Sequence, residues 1–315
     1  MSSSIKKIAI IGAGVIGTGW TIRLLSKNKI VYLYDNNLSQ INFLKNEIKK
    51  ISKSVLRYYK IKKINTKNLH IKNSIKNAVE NADLIQENTP ENINIKKKII
   101  KEISKWSKPN AIIASSSSGL LPSKIQKACK FPERFIIAHP FNPVYLLPLV
   151  EIVKGEKTKK KYINNSKIFY KSIRMYPLEL KKEIEGYLSD RLQESMWRES
   201  LHILEENLAS TDDLDKAIIY GPGMRWALMG TFLTFHLAGG KAGMKHMLKQ
   251  FGPALKLPWT KLKAPKLSKK LSARVIKGTK QQAKGKSVSS ISNIRDEYLV
   301  NLQKLRKKYA DKIRK

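Results

Sequence analysis

The chain is short of cysteine, of carboxylates and of long apolar runs. Its 315 residues include one cysteine, Cys129, which excludes an internal disulfide framework and suits a reducing compartment. Acidic residues are scarce: 24 Asp+Glu stand against 62 Lys+Arg, a formal net charge of +38. No stretch approaches ~18 uninterrupted apolar residues, so no membrane span is expected. At 42% hydrophobic residues, the chain has the composition of a globular protein with one large or two medium domains. Lys6 and Lys7 ahead of an apolar run imitate a signal peptide. Gly12, Gly14 and Gly17 interrupt that run and no small-residue cleavage site follows, so a cytoplasmic protein is expected.

A charge of this size normally points to nucleic acid or an anionic membrane. Here the basic residues are mostly lysines, interleaved with Ile and Asn along the whole chain instead of gathered with aromatics on one element. That evenness reads as compositional drift, so neither a specific nucleic acid nor a membrane is expected as partner. One stretch runs against it: Glu183 to Arg225 holds ten carboxylates and four basic residues.

Short apolar runs alternate with helical periodicity in the first half of the chain. Residues 5 to 11, Val31 to Asp35, Ala82 to Ile85, Ala111 to Ser115 and Phe135 to Ala138 read as strands. Between them, Thr18 to Ser26, residues 39 to 60, Ile93 to Trp106 and Pro122 to Ala128 read as helices, the second as one long helix with Ile41, Leu44, Ile48, Ile51 and Val55 in register. This alternation predicts a parallel sheet covered on both faces. Beyond Lys182 an apolar stripe from Leu188 to Leu208 predicts a long helix. Ser210-Thr-Asp-Asp213 then predicts a capping box opening another, which stops before Gly221. Residues 226 to 256 read as helices broken at Gly239-Gly240 and Gly252-Pro253. A Gly/Ser/Lys-rich connector at 277 to 290 and an amphipathic helix from Ile291 to Ile313 complete the expectation.

Gly12-x-Gly14-x-x-Gly17 lies between the first strand and its helix, the context in which such a turn cradles a pyrophosphate. Gly12 permits the turn, Gly14 the close approach of backbone to phosphate, and Gly17 the packing of helix on strand. The amides of Val15, Ile16 and Gly17 then face the anion with the positive helix end. Asp35 ends the second strand where an acid meets the adenosine ribose hydroxyls and repels a 2′-phosphate, so NAD is expected over NADP. The fold class that follows is α/β: a Rossmann-type domain over residues 1–182, then an all-α domain over 183–315 with a basic tail.

Ser118 and His139 both lie just past strand ends, where open α/β sheets bind ligands. Glu151 stands twelve residues after His139 and thirty-three after Ser118. An imidazole exchanges an alcohol proton near neutrality, a carboxylate on its other nitrogen fixes the tautomer, and a hydroxyl can hold the reacting oxygen. The trio behind a dinucleotide turn predicts oxidation of a hydroxyl, or reduction of a ketone, against a nicotinamide. No metal is expected.

These residues resemble the 3-hydroxyacyl-CoA dehydrogenase superfamily, in which a serine, a histidine in His-x-Phe-Asn-Pro and a glutamate twelve residues on form the catalytic group. The resemblance implies catalytic roles for Ser118, His139 and Glu151, and places Glu91, Lys96 and Asn142 at the cofactor. Gly186-Tyr-Leu-Ser-Asp190-Arg191 departs from the superfamily pattern by placing Asp190 where an asparagine is usual. Within the superfamily, residues 139 to 151, Asp190-Arg191 and the blocks 223 to 234 and 251 to 261 are similar to the L-carnitine 3-dehydrogenase branch. That similarity implies L-carnitine as substrate and a homodimer. A 3-hydroxyacyl-CoA dehydrogenase and a λ-crystallin-like L-gulonate 3-dehydrogenase stay open as alternatives, with a basic nucleic-acid-binding protein as the reading from another class. For a trimethylammonium substrate, Tyr145, Trp226, Phe232 and Phe235 are candidate aromatic walls, Asp190 a candidate contact, and Arg225 a candidate partner for the carboxylate.

Overall fold

The computed structural model describes residues 5–261, except 52 and 207, and scattered positions between 268 and 305. The chain divides into two compact units, Met1–Leu192 and Gln193–Lys315.

The first unit begins β1 (Lys7–Ile11), α1 (Val15–Ser26), β2 (Ile30–Tyr34), α2 (Leu38–Lys49), α3 (Lys53–Tyr59) and β3 (Leu69–Ile71). It continues α4 (Ile75–Val79), β4 (Leu84–Glu87), α5 (Ile93–Trp106), β5 (Ile112–Ser115), α6 (Pro122–Gln126) and β6 (Phe135–Pro140). A last segment adds β7 (Leu149–Lys154), α7 (Lys160–Ser172), β8 (Tyr176–Glu179) and the start of α8 (Ser189–Glu205). The strands form one sheet in the order β3-β2-β1-β4-β5-β6-β7-β8. The order reverses between β1 and β4, so their C-terminal ends open the crevice in which such sheets hold ligands.

Strand residues alternate between two buried faces. Ile8 and Ile10 of β1 join a core with α1, α2 and α7, while Ala9 and Ile11 join another with α4, α5 and α6. A sheet covered on both faces needs apolar side chains at nearly every position, which is why its strands read as continuous apolar runs. Each fully buried Ile contributes ~1.5–3 kcal/mol relative to exposure.

One expectation is corrected and another, the parallel sheet, is borne out with one exception. Residues 39 to 60 are two helices, not one: Lys50 caps α2, and Ile51 N–H turns back to Ile48 O. The break lets α2 bury Ile41, Leu44 and Ile48 while α3 separately buries Val55 and Tyr59. The sheet is parallel except at one place, because β7 runs antiparallel to β6. The hairpin-like return sets His139 directly opposite Glu151.

The second unit contains the remainder of α8, α9 (Thr211–Tyr220), α10 (Gly223–Ala238) and α11 (Met244–Phe251). The capping box expected at Ser210 is present: Asp213 N–H donates to Ser210 Oγ at 3.2 Å and Ser210 N–H to Asp213 Oδ2 at 3.1 Å. α10 is kinked at Gly230, whose φ of 65° with ψ of −170° is a backbone region open essentially to glycine alone. Most of the terminal helix expected at 291 to 313 lies outside the described residues, and the described part of the connector expected at 277 to 290 includes helical positions at 277, 280, 283 and 290. Among those described, no helix is long and apolar enough to cross a membrane.

Candidate active site

The glycine turn closes tightly on itself. Gly12 has φ +96°, and a Cβ on it would stand 2.9 Å from Asn88 O. A Cβ on Gly17 would overlap Gly12 O at 1.8 Å. Gly14 differs, with nothing nearer its Cβ position than Gln40 Oε1 at 3.9 Å. The N-terminus of α1 therefore opens on free space, with no side-chain cap and no acidic residue in its first turn. A phosphate can meet its amides and the helix dipole there.

Asp35 stands across the turn and helps shape it, since Oδ2 accepts from Ala13 N–H at 2.6 Å and Oδ1 from Asn37 N–H at 2.8 Å. Gly12, Gly14, Asp35, Asn37, Thr89 and Ile95 are among the residues lining a cleft of about 570 Å³. Val15 is exposed at the start of α1, and Ile16 packs against the core. These residues fit a dinucleotide. A neighbouring groove of about 760 Å³, lined by Lys98, Lys101, Lys105, Lys127 and Lys130, contains none of the expected site residues.

The next strand ends carry the polar groups. Glu87 and Lys96 are both buried, with Lys96 Nζ 3.1 Å from Glu87 Oε1, 2.9 Å from Thr89 O and 3.5 Å from Glu91 Oε2. Glu91 in turn gathers the serine loop. Its Oε1 accepts from the Ser117 hydroxyl, from Ser118 N–H at 3.0 Å and from Gly119 N–H at 3.1 Å. Burial opposes ionisation of Glu91, but the Ser117 hydrogen bond, the Lys96 charge and the two amides outweigh it and hold the carboxyl below its ordinary range. Ser118 is thereby displayed, exposed, at the end of β5. Since Ser115 pairs with Ile137, the loop after β5 lies beside His139 on β6.

His139 is buried, with Nδ1 2.9 Å from Glu151 Oε2 and Nε2 3.7 Å from Asp190 Oδ2. Its ring meets Phe141 edge-on at 5.1 Å and Tyr187 at 5.5 Å. The other oxygen of Glu151 accepts from Leu188 N–H, Ser189 N–H and the Ser189 hydroxyl at 3.0–3.1 Å. Burial works against the charge on Glu151, and the His139 hydrogen bond with the Ser189 and Leu188 amides outweighs it, so its carboxyl is also held low. The arrangement leaves Nε2 as the proton-accepting atom, with Nδ1 occupied by a carboxylate.

The structure thus brings Ser118, His139, Glu151, Glu91, Lys96 and Asp190 to one edge of the first unit. Asn142 is exposed just beyond, ahead of a cis peptide to Pro143, and Tyr145 packs against the core with its carbonyl accepting from Tyr59 Oη. Arg225, Trp226, Phe232 and Phe235 stand on α10 of the second unit, with Phe232 and Phe235 exposed.

Sequence reasoning missed several groups that position the site. Arg23 on α1 is fully buried and donates to four carbonyls: Val144, Leu147, Ile173 and Arg174. It fastens the helix of the glycine turn to the segment after His139. Ser116 takes the Trp20 indole N–H at 3.0 Å and the Gln86 amide at 2.8 Å, and donates to Asn88. The only advance signals were a lone arginine in an apolar helix and two polar residues, Gln86 and Glu87, ending an apolar strand.

Residues 7–184 match the NAD-binding domain of 3-hydroxyacyl-CoA dehydrogenase, and residues 186–284 match its C-terminal domain. The chain belongs to the 3-hydroxyacyl-CoA dehydrogenase family. The first unit of this family member is thus its NAD-binding domain, and the second match runs past residue 261, where the last block similar to the L-carnitine branch ends. The L-carnitine dehydrogenase of Bacillus cereus is 48% identical over 307 residues, covering 98% of this chain and 94% of that protein. The L-carnitine dehydrogenase of Oceanobacillus iheyensis is also 48% identical, covering 94% of this chain and 97% of its own. The crystal structure of a 3-hydroxyacyl-CoA dehydrogenase from Archaeoglobus fulgidus shares the fold with a TM-score of 0.70 at 22% identity, over 95% of this chain and 98% of that one.

Proposed function

We propose that this protein is an NAD-dependent L-carnitine 3-dehydrogenase, oxidising the 3-hydroxyl to 3-dehydrocarnitine. The observation that carries the reading is near-full-length identity of 48% to L-carnitine dehydrogenases, in a chain whose His139 and Glu151 stand 2.9 Å apart. Bound NAD supplies the hydride acceptor. The chain's own residues do the rest. His139 Nε2 takes the hydroxyl proton, Glu151 holds the Nδ1 proton and stabilises the imidazolium, and the Ser118 hydroxyl donates to the substrate oxygen. The α1 amides hold the pyrophosphate and Asp35 the ribose hydroxyls.

Trp226, Phe232, Phe235 and Tyr145 are proposed as aromatic faces for the trimethylammonium, and Arg225 as partner of the carboxylate. A homodimer in the cytoplasm completes the reading. Leu192, Met196 and Trp197 on α8 are exposed in the single chain, the kind of apolar face that a subunit interface buries.

The test is NADH formation from L-carnitine, D-carnitine, 3-hydroxybutyryl-CoA and L-gulonate under identical conditions. Turnover of L-carnitine well above the other three is expected. Preference for 3-hydroxybutyryl-CoA or L-gulonate overturns the substrate, and NADH from none of them overturns the activity.

A further inference from the structure

Three chain segments meet at the His139 imidazole, and the third brings a charge. β6 supplies the ring, β7 supplies Glu151 on the Nδ1 side, and the first turn of α8 lays Asp190 Oδ2 3.7 Å from Nε2. Nε2 is the atom that faces the substrate hydroxyl. In a chain of net charge +38, a carboxylate at that atom stands out.

The position of Asp190 is fixed from two sides. Glu151 Oε1 holds the amides of Leu188 and Ser189, so the carboxylate that orients the imidazole also anchors the helix end bearing Asp190. The preceding turn is left-handed at Gly186 and Tyr187, with φ of 73° and 45°. It is tied to the serine loop, because Tyr187 Oη donates to Leu120 O at 2.8 Å and Gly186 N–H to Gly119 O at 3.3 Å. Asp190 therefore keeps its place relative to both His139 and the loop of Ser118. Its side chain is 28% exposed, partly withdrawn from water.

A fixed carboxylate beside the reacting oxygen gives no attraction to a neutral acyl chain and repels an anionic one. It favours a substrate whose positive charge lies close to its hydroxyl. In carnitine the quaternary nitrogen is three bonds from the hydroxyl oxygen, so an oxygen held at Nε2 brings the cation beside Asp190. A quaternary ammonium has no N–H to donate, and the attraction is Coulombic, tolerant of distance and orientation. We infer that Asp190 is a specificity-determining residue, its carboxylate being the counter-charge that selects a substrate with a quaternary ammonium next to the carbinol. The inference rests on the L-carnitine reading.

The experiment compares wild type with Asp190→Asn on L-carnitine and on its carbon isostere, 3-hydroxy-5,5-dimethylhexanoate of the same spatial configuration, which keeps the carboxylate and lacks the cation. The asparagine keeps the size of the side chain and removes the charge. The expected result is a fall in kcat/KM for L-carnitine of about 10- to 100-fold with no loss, or a gain, for the anionic isostere, collapsing the preference between them. Equal losses on both substrates, or no loss on either, overturn the assignment. Wild type inactive on L-carnitine overturns the activity reading and this inference together, and is seen before any variant is made. If the asparagine variant does not fold, inhibition of wild type decides. Choline is expected to inhibit at least about tenfold more strongly than 3,3-dimethylbutanol, its neutral isostere, and equal inhibition overturns the proposal.

Discussion

Glu151 divides its carboxylate between His139 and the start of α8, with Oε2 2.9 Å from His139 Nδ1 and Oε1 3.0 Å from Ser189 N. Base and helix are therefore registered by one side chain, itself fully buried on β7. Glu151→Gln keeps the shape and removes the charge that balances an imidazolium. A fall in kcat on the order of 10²- to 10⁴-fold is expected, with NAD affinity near wild type. Steady-state kinetics with NAD titration by fluorescence checks it, and a variant of near-normal kcat would remove Glu151 from the proton relay.

The same substitution has a pH signature. The folded-state pKa of Glu151 lies below its ordinary value of 4.5, so the ionised form adds stability that is fully present above that value. It is lost as pH falls through the folded pKa. The stability gap between wild type and Glu151→Gln should thus be wide at pH 7 and shrink in acid below 4.5. Urea denaturation at a series of pH values measures the gap, and one that stays constant contradicts a stabilising charge at this position.

The sequence disclosed those parts of the site whose residue types have little alternative use. Three glycines at that spacing between strand and helix, an acid after the second strand, and a histidine with a glutamate twelve residues on were all legible. Their register was not. Nothing in Leu149–Lys154 announces that it turns back antiparallel, yet that reversal is what places Glu151 opposite His139. Arg23 was invisible for a different reason: its partners are backbone carbonyls at 144, 147, 173 and 174, which carry no residue identity. The break between α2 and α3 was hidden because the apolar spacing of Ile41 to Val55 continues across it.

Lys96 tests the buried ion ladder behind the serine loop. Lys96 and Glu87 are 1% and 0% exposed, so Lys96→Met leaves a buried carboxylate without its cation. Such a loss typically costs about 3–5 kcal/mol. A large drop in Tm is expected. The double variant Lys96→Met/Glu87→Met, which removes both charges, should recover much of it, and a double variant as unstable as the single would show that the pairing is not what Lys96 contributes.

Asp35 is expected to set cofactor choice. Asp35→Ser removes the carboxylate that faces the cleft while leaving a hydroxyl for the Ala13 and Asn37 amides. Loss of charge-assisted hydrogen bonds to the ribose should lower kcat/KM for NAD on the order of 10- to 100-fold. The value for NADP should fall less or rise, because the repulsion of a 2′-phosphate is gone. Parallel assays with the two cofactors give the ratio, and an unchanged ratio would move the ribose contact elsewhere.

Gly14 and Gly17 separate binding from folding within one turn. A Cβ on Gly14 enters open cleft, 3.9 Å from its nearest neighbour, whereas a Cβ on Gly17 would lie 1.8 Å from Gly12 O. Gly14→Ala should therefore fold normally, with unchanged Tm, and raise the KM for NAD by about tenfold or more by holding the phosphate off the amides. Gly17→Ala must push strand and helix apart, at a cost of at least ~1–3 kcal/mol, and should lose thermal stability even without cofactor. Scanning calorimetry of both apo variants together with NAD titration distinguishes the two effects. A destabilised Gly14→Ala with normal NAD binding would mean that the open space beside Gly14 is not where the pyrophosphate passes.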